Sequence, residues 1–319
     1  MTETPVAVVG AGPWGRTIAA AIAATPGISL AAIVSANPET RRKTDPAPRV
    51  CRTWQEAVEK TDTSGIILAV PPMHQPDIAV ALIESGIPVM LEKPMAASVS
   101  GAEAIRAAAE THGFRGLVNH LHVYAPAFRM LLSKLSNLPG ARTVQATAGA
   151  HGPYRTGWSP LWDWAGHDLA MVLSVIDGDP IGISARPDAD FVENGRRYRN
   201  YRIDLTFRDG SRADLHIGNA FDRKNREFRV TADGSALCYR ESDTSEISLS
   251  IDGVEQPGIG AGTENRPLNA ALIAFANRIR SGGGIEDITL GAKIVRLIDA
   301  AQRSVQSGDP VLLATAGQS

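Results

Sequence analysis

The stretch Val6-Ala7-Val8-Val9-Gly10-Ala11-Gly12-Pro13-Trp14-Gly15 decides how the first third of the chain folds. A short apolar run reads as a buried strand, and the glycine pattern Gly10-x-Gly12-x-x-Gly15 follows it without a gap. A run of strong helix formers, Trp14 to Ala24, comes next. In a strand–loop–helix each glycine has its own task. Gly10 makes the tight turn, Gly12 lets the backbone approach a pyrophosphate, and Gly15 lets helix and strand pack closely. The helix N-terminus offers unpaired N–H groups and a positive dipole end to phosphate. Pro13 and Trp14 lie within the same loop and are expected at the coenzyme too.

Outward from this unit the pattern repeats. Leu30 to Val34, Gly65 to Val70, Pro88 to Leu91 and Gly116 to Asn119 read as strands. Asp77 to Glu84 and Gly101 to Thr111 read as helices between them. Strand and helix in alternation predict a doubly wound parallel sheet covered on both faces. After Pro126 the rhythm changes. A helix through Phe128 and Leu132, an alternating strand from Thr143 to Thr147, a loop from His151 to Pro160 and a helix from Trp162 to Ile176 lead into a strand meander between Tyr198 and Leu249. Helices near Leu268 to Ile279 and Leu290 to Val305 follow. The expectation is α/β followed by α+β: a dinucleotide-binding domain over residues 1–121, then, over 122–319, an open, mostly antiparallel sheet covered by helices.

Bulk properties narrow the classes of function. The chain has 319 residues, 44% of them apolar and 21% charged, which suits two globular domains and sets aside disorder and coiled coil. A net charge of -2, with no basic run beyond Arg41-Arg42-Lys43, argues against nucleic-acid binding. Cys51 and Cys238 are far apart and form neither a disulfide framework nor a zinc site, and no metal is expected. The apolar stretch Thr17 to Val34 is broken by Pro26-Gly27, too short on either side to span a bilayer, and the start lacks a basic leader segment. A reduced cytoplasmic setting is the expectation.

The residue expected to meet a coenzyme ribose, about 20 positions past the glycines, is Ser35. A carboxylate there would repel a 2′-phosphate, whereas a hydroxyl can donate to it, and Arg41 and Arg42 follow. NADP is therefore expected over NAD. Read plainly, the three basic residues are a solvated helix face, which leaves the missing carboxylate unexplained.

Two further segments carry chemistry. Glu92-Lys93-Pro94 ends a strand at the sheet's carboxyl edge, where ligands of such folds bind. Asp163 and His167 sit four apart on a helix, so both side chains share one face. Lysine, carboxylate and imidazole together could move a proton to and from an alcohol. Spacing alone leaves surface decoration equally open.

Taken jointly, the fingerprint, the Glu-Lys-Pro turn and the Asp163-x-x-x-His167 helix resemble the Gfo/Idh/MocA oxidoreductases. Val70-Pro71-Pro72-Met73-His74 is similar to that family's loop after the fourth strand, and Val34-Ser35-Ala36-Asn37 to its NADP-using members. The resemblance implies an NAD(P)-dependent dehydrogenase or reductase acting on a secondary alcohol or ketone of a sugar, cyclitol or related polyol. It implies His167 as general base, Lys93 as the hydrogen-bond donor to the reacting oxygen, and Asp163 as the group that binds a neighbouring hydroxyl and orients the imidazole. It also implies that Val70, Pro71, His74 and Glu92 help to hold the coenzyme, that the Lys93–Pro94 bond is cis, and that the second sheet forms a homodimer or homotetramer. Asn119, His120, Tyr154 and Trp162 are candidates for substrate contact. The chain departs from many members in Trp158-Ser159-Pro160-Leu161-Trp162 and in Ala170, where a second aspartate is common. Two rival activities are a glycosidase that retains its NAD(P) and works by transient oxidation, and a non-catalytic NADP-binding sensor.

Overall fold

A computed structural model describes residues 3–37, 39, 49–155, 157–242, 246–257, 262 and 265–313. Chain order begins β1 (Thr4–Val9), α1 (Pro13–Ala23), β2 (Ile28–Val34), β3 (Arg49–Cys51), α2 (Trp54–Lys60), β4 (Gly65–Leu68), α3 (Gln75–Glu84), β5 (Val89–Leu91), α4 (Val99–His112) and β6 (Gly116–Val118). These strands form one parallel sheet in the order β3-β2-β1-β4-β5-β6. The order reverses at β1, as in a Rossmann sheet, so the crevice beside the carboxyl ends of β1 and β4 is the ligand site such folds use. The expected parallel architecture is observed. β3 and α2 have no counterpart in the sequence reading, since three residues and seven residues fall below the length at which periodicity speaks.

The rest of the chain runs α5 (Pro126–Leu135), β7 (Thr143–His151), α6 (Pro160–Val175), β8 (Pro180–Glu193), β9 (Arg196–Phe207), β10 (Arg212–Gly218), β11 (Ala220–Ala232), β12 (Ser235–Glu241), β13 (Ile247–Ile251), β14 (Val254–Glu255), α7 (Pro267–Ser281), α8 (Ile285–Ser307) and β15 (Val311–Leu312). Its described strands form a second sheet in the order β14-β13-β12-β11-β7-β10-β9-β8-β15. Pairing is antiparallel except between β7 and β10, where Arg212 to Gly218 run parallel to Thr143 to Gly149. The sheet is mixed and mostly antiparallel, as expected.

By compactness the chain divides in an interleaved way, where the sequence suggested one cut at 121/122. The first unit comprises Met1–Tyr124 and Pro267–Val295, the second Ala125–Arg266 and Arg296–Ser319. The cause lies in α7. Its Leu272, Phe275 and Ala276 join Val6, Val8, Ile18, Ile22 and Met90 in one buried cluster. Asn269 Nδ2 donates to Thr25 Oγ1 at 2.7 Å, and the Cβ that Gly65 lacks would sit 2.7 Å from Ile279. Without that helix one face of the first sheet would lose much of its apolar cover.

In the second unit, α5 and α6 cover one face of the sheet. Phe128 meets Phe228 and Tyr239 edge to face, with centroids 5.8 and 6.0 Å apart. Elsewhere the sheet carries ion pairs, among them Arg202 with Asp214 and Asp188 and Arg186 with Asp204, and His216 Nε2 lies 2.8 Å from Asp188.

Candidate active site

In the first unit the glycine loop between β1 and α1 is built by steric necessity. Gly10 has φ +111, and a Cβ there would stand 2.4 Å from the Ala69 carbonyl oxygen; one on Gly15 would stand 1.9 Å from the Gly10 oxygen. Gly12 differs: its φ of -67 and ψ of -178 suit any residue, and a Cβ would meet nothing within 4 Å. Gly12 is the N-cap of α1, yet no side chain caps that end, no acidic residue lies in the first turn, and Pro13 stands at its start. An uncapped helix end beside open space fits a pyrophosphate. Ser35 follows β2, its N–H donating to Cys51 O at 3.0 Å and its Oγ accepting from the Asn37 N–H at 3.3 Å, which leaves the hydroxyl proton for another acceptor. Arg41 lies outside the described residues, as do Arg42 and Lys43.

On the same carboxyl edge, Glu92, Lys93 and Pro94 follow β5, and the Lys93–Pro94 bond is cis. Glu92 is buried. Its carboxylate accepts from Asn119 Nδ2 at 2.7 Å, from the Trp14 side chain and from the Lys93 backbone N–H. Burial raises the Glu92 pKa above the ordinary carboxylate value, and those hydrogen bonds, with the nearby Lys93 charge, oppose the rise. The glycine loop and the lysine turn are thus joined through one carboxylate. Asn119 and His120 are both buried, and Asn119 spends its amide on Glu92. Val70 and Pro71 follow β4; His74, exposed, donates its N–H to Pro71 O and precedes α3.

Just past His74, buried Gln75 donates Nε2 to Glu92 O at 3.0 Å and to Pro94 O at 2.9 Å. Sequence reasoning passed over it, because a glutamine at the first position of an amphipathic helix looks like a solvated residue.

In the second unit, α6 starts at Ser159, whose Oγ accepts from Leu161 N–H, with Pro160 in the first turn. Asp163 and His167 are half-buried on a helix whose other positions, from Leu161 through Val172, are mostly buried. Asp163 Oδ2 accepts from Arg155 Nε at 3.0 Å. The helix is held by a deep ion pair: Asp168 Oδ1 lies 2.6 Å from Arg226 on β11, with side chains 0% and 5% exposed. Glu241 stands 4.0 Å from the same guanidinium and 2.6 Å from Lys224. Asp168 adjoins His167, so anchoring one fixes the direction of the other. This pair too went unread, since its members are 58 positions apart.

Of the other aromatic candidates, Tyr154 is exposed under the Arg196 guanidinium, 5.9 Å from its ring centre. Trp162 is buried, donates Nε1 to Gln302 Oε1 and tilts against Trp158 at 5.8 Å. Among the described residues no group of three or more His, Cys, Asp or Glu is placed to hold a metal ion, and no helix is long and apolar enough to cross a membrane.

Comparison with known proteins agrees with the fold. Residues 4–120 match the family model described as oxidoreductase family, NAD-binding Rossmann fold. A structure from Magnetospirillum magnetotacticum MS-1, provisionally named an oxidoreductase, is 31% identical, with 93% of this chain and 99% of that one covered at a TM-score of 0.80. The 4-carboxy-2-hydroxymuconate-6-semialdehyde dehydrogenase of Sphingobium sp. (strain NBRC 103272 / SYK-6) is 24% identical over 88% of this chain and 97% of its own. A myo-inositol dehydrogenase from Corynebacterium glutamicum ATCC 13032 shares the fold at 18% identity and a TM-score of 0.80, over 99% and 100% of the two chains.

Proposed function

The chain belongs to the Gfo/Idh/MocA oxidoreductase family, and from that premise we propose that it oxidises or reduces a secondary alcohol or ketone of a sugar, cyclitol or related polyol, using NADP in preference to NAD. One observation carries the reading. The open phosphate loop and Lys93 stand on a single sheet edge, tied together by the bonds that Trp14 and Asn119 make to Glu92. Gly10, Gly12, Gly15 and the start of α1 would hold the coenzyme's phosphates, and Lys93, on the same sheet edge, would meet a substrate oxygen.

The nicotinamide, when bound, supplies the hydride donor or acceptor. The chain's own residues do the rest. His167 takes the hydroxyl proton in the oxidative direction and returns it in reduction, as an imidazole titrating near neutrality can. Lys93 donates a hydrogen bond to the same oxygen and steadies the charge that develops there. Asp163 binds a neighbouring hydroxyl, for which it must exchange its present partner Arg155. A general base of this kind contributes about 10²–10⁴ in rate, and orientation of the two reactants supplies much of the remainder. Ser35 donates to the 2′-phosphate. By resemblance to the family, self-association as a homodimer or homotetramer is expected through the second sheet.

A panel of aldoses, cyclitols, keto-sugars and carboxylated semialdehydes, with NADP and NAD followed in parallel at 340 nm, tests the reading. Lys93→Ala and His167→Ala should each cripple turnover while leaving NADP affinity within a few-fold. Wild-type rates in both would overturn the assigned roles.

A further inference from the structure

The parallel ladder runs out just where the lysine begins. β5 pairs with β4 as far as Leu91 opposite Leu68, and the last bonds around the turn are Glu92 N–H to Leu68 O at 3.3 Å and Asn119 N–H to Leu91 O at 2.7 Å. The carbonyls of Glu92 and Pro94 lie beyond that ladder. Buried carbonyls require donors. Both receive theirs from one side chain, the fully buried Gln75 amide, at 3.0 and 2.9 Å.

Three features make this a clamp on Lys93. Its two bonds land on the residues immediately before and after the lysine. The amide has only one workable orientation, because the flipped form would set Oε1 against two carbonyl oxygens. The residues past the clamp, Met95 and Ala96, are packed in the core, and the missing Cβ of Gly291 on α8 would lie 2.6 Å from Met95 Sδ. Motion of the Lys93 backbone therefore has to break Gln75's bonds first.

We infer that Gln75 is a positioning residue, which fixes the Lys93 backbone so that the ammonium group reaches the substrate oxygen without a search. The inference rests on the reading that Lys93 is a catalytic residue. Displacing a catalytic group by about 1 Å can cost about 10²-fold in rate. Gln75→Met keeps length and bulk but removes both donors.

The test is a double-mutant cycle on kcat, with Gln75→Met, Lys93→Ala and the pair, alongside NADPH fluorescence titrations of each. The expected result is a loss of about 10- to 100-fold in kcat for Gln75→Met, NADPH affinity within about twofold of wild type, and less than a twofold further effect in the Lys93→Ala background. A Gln75→Met enzyme with kcat within about twofold of wild type overturns the inference. So does an equal proportional loss in both backgrounds, which is what a merely structural glutamine would give. Should Gln75→Met not fold, Gln75→Asn, whose amide falls one methylene short, is carried through the same cycle with the same expected and overturning results. Full activity of Lys93→Ala sinks the underlying reading instead, so the two failures are distinct.

Discussion

Substituting Gly12 by alanine separates a glycine needed for the fold from one needed for the ligand. At Gly12 the backbone angles suit alanine, and the added methyl meets nothing within 4 Å. Replacing glycine at a compatible position stabilises a protein by about 0.4–1 kcal/mol through the unfolded chain, but alanine is a poorer N-cap than glycine by a similar amount, so the two effects nearly cancel. For domains of this size Tm should therefore stay within about 3 °C of wild type. The same methyl occupies the space through which the loop would approach the pyrophosphate, so coenzyme Kd should rise at least about tenfold, or about 1.4 kcal/mol. Gly10→Ala and Gly15→Ala serve as contrasts. Their methyl groups would stand 2.4 Å from the Ala69 oxygen and 1.9 Å from the Gly10 oxygen, and Gly10 has φ +111 besides. Overpacking of that kind costs about 1–3 kcal/mol, so both should melt about 2–12 °C lower. Thermal melts by circular dichroism with NADPH titrations of all three variants decide the matter. A Gly12→Ala protein that binds coenzyme as wild type does, or that melts several degrees lower, refutes the reasoning.

Other perturbations probe the scaffold and the coenzyme preference. Arg226→Met strands the buried Asp168 carboxylate and should cost about 3–5 kcal/mol, whereas the double change Asp168→Leu with Arg226→Met should recover most of it; chemical denaturation showing equal losses in both would contradict this. Because burial holds the folded Glu92 pKa above its unfolded value, ionising this carboxyl opposes folding, so its contribution is complete below about pH 4.3 and fades as pH rises through the folded value. Glu92→Gln should remove that share of the decline in Tm toward neutral pH, and an identical pH profile would count against it. Burial pushes the Cys238 thiol up to about 11 and raises that of Cys51 as well, so neither should react with a disulfide reagent at pH 8 until the protein unfolds. Ser35→Asp should move the NADP-to-NAD ratio of kcat/KM toward NAD by about tenfold or more, and an unchanged ratio would place recognition of the 2′-phosphate elsewhere.

What could be read from the sequence was local. The glycine loop, the strand before it and the helix after it lie within twenty residues, so turn chemistry and periodicity sufficed. Glu92, Lys93 and Asp163-x-x-x-His167 were legible as motifs for the same reason. Relations across long separations were not. The amphipathic pattern of α7 announces an apolar face but not that Phe275 packs with Val6 and Ile18, some 270 and 257 positions away. Alternation in β10 predicts a half-buried strand but not its parallel partner β7, 69 positions earlier by register. β8 was missed because charged and proline residues interrupt it, and its outer half pairs with β9 through ladder bonds while its side chains stay in solvent. Asp168 and Gln75 look like ordinary polar helix residues until burial and a distant partner are known.

We propose that Lys93 and His167 serve one reacting oxygen. Single-turnover rates at 340 nm for Lys93→Met, His167→Gln and the double variant, on the best substrate of the panel, test it most directly. Groups acting as one unit give grossly non-additive losses, so the double variant should be about as slow as the slower single one, with NADPH affinity unchanged. Losses that multiply, or a variant of either residue that turns over at the wild-type rate, would contradict it.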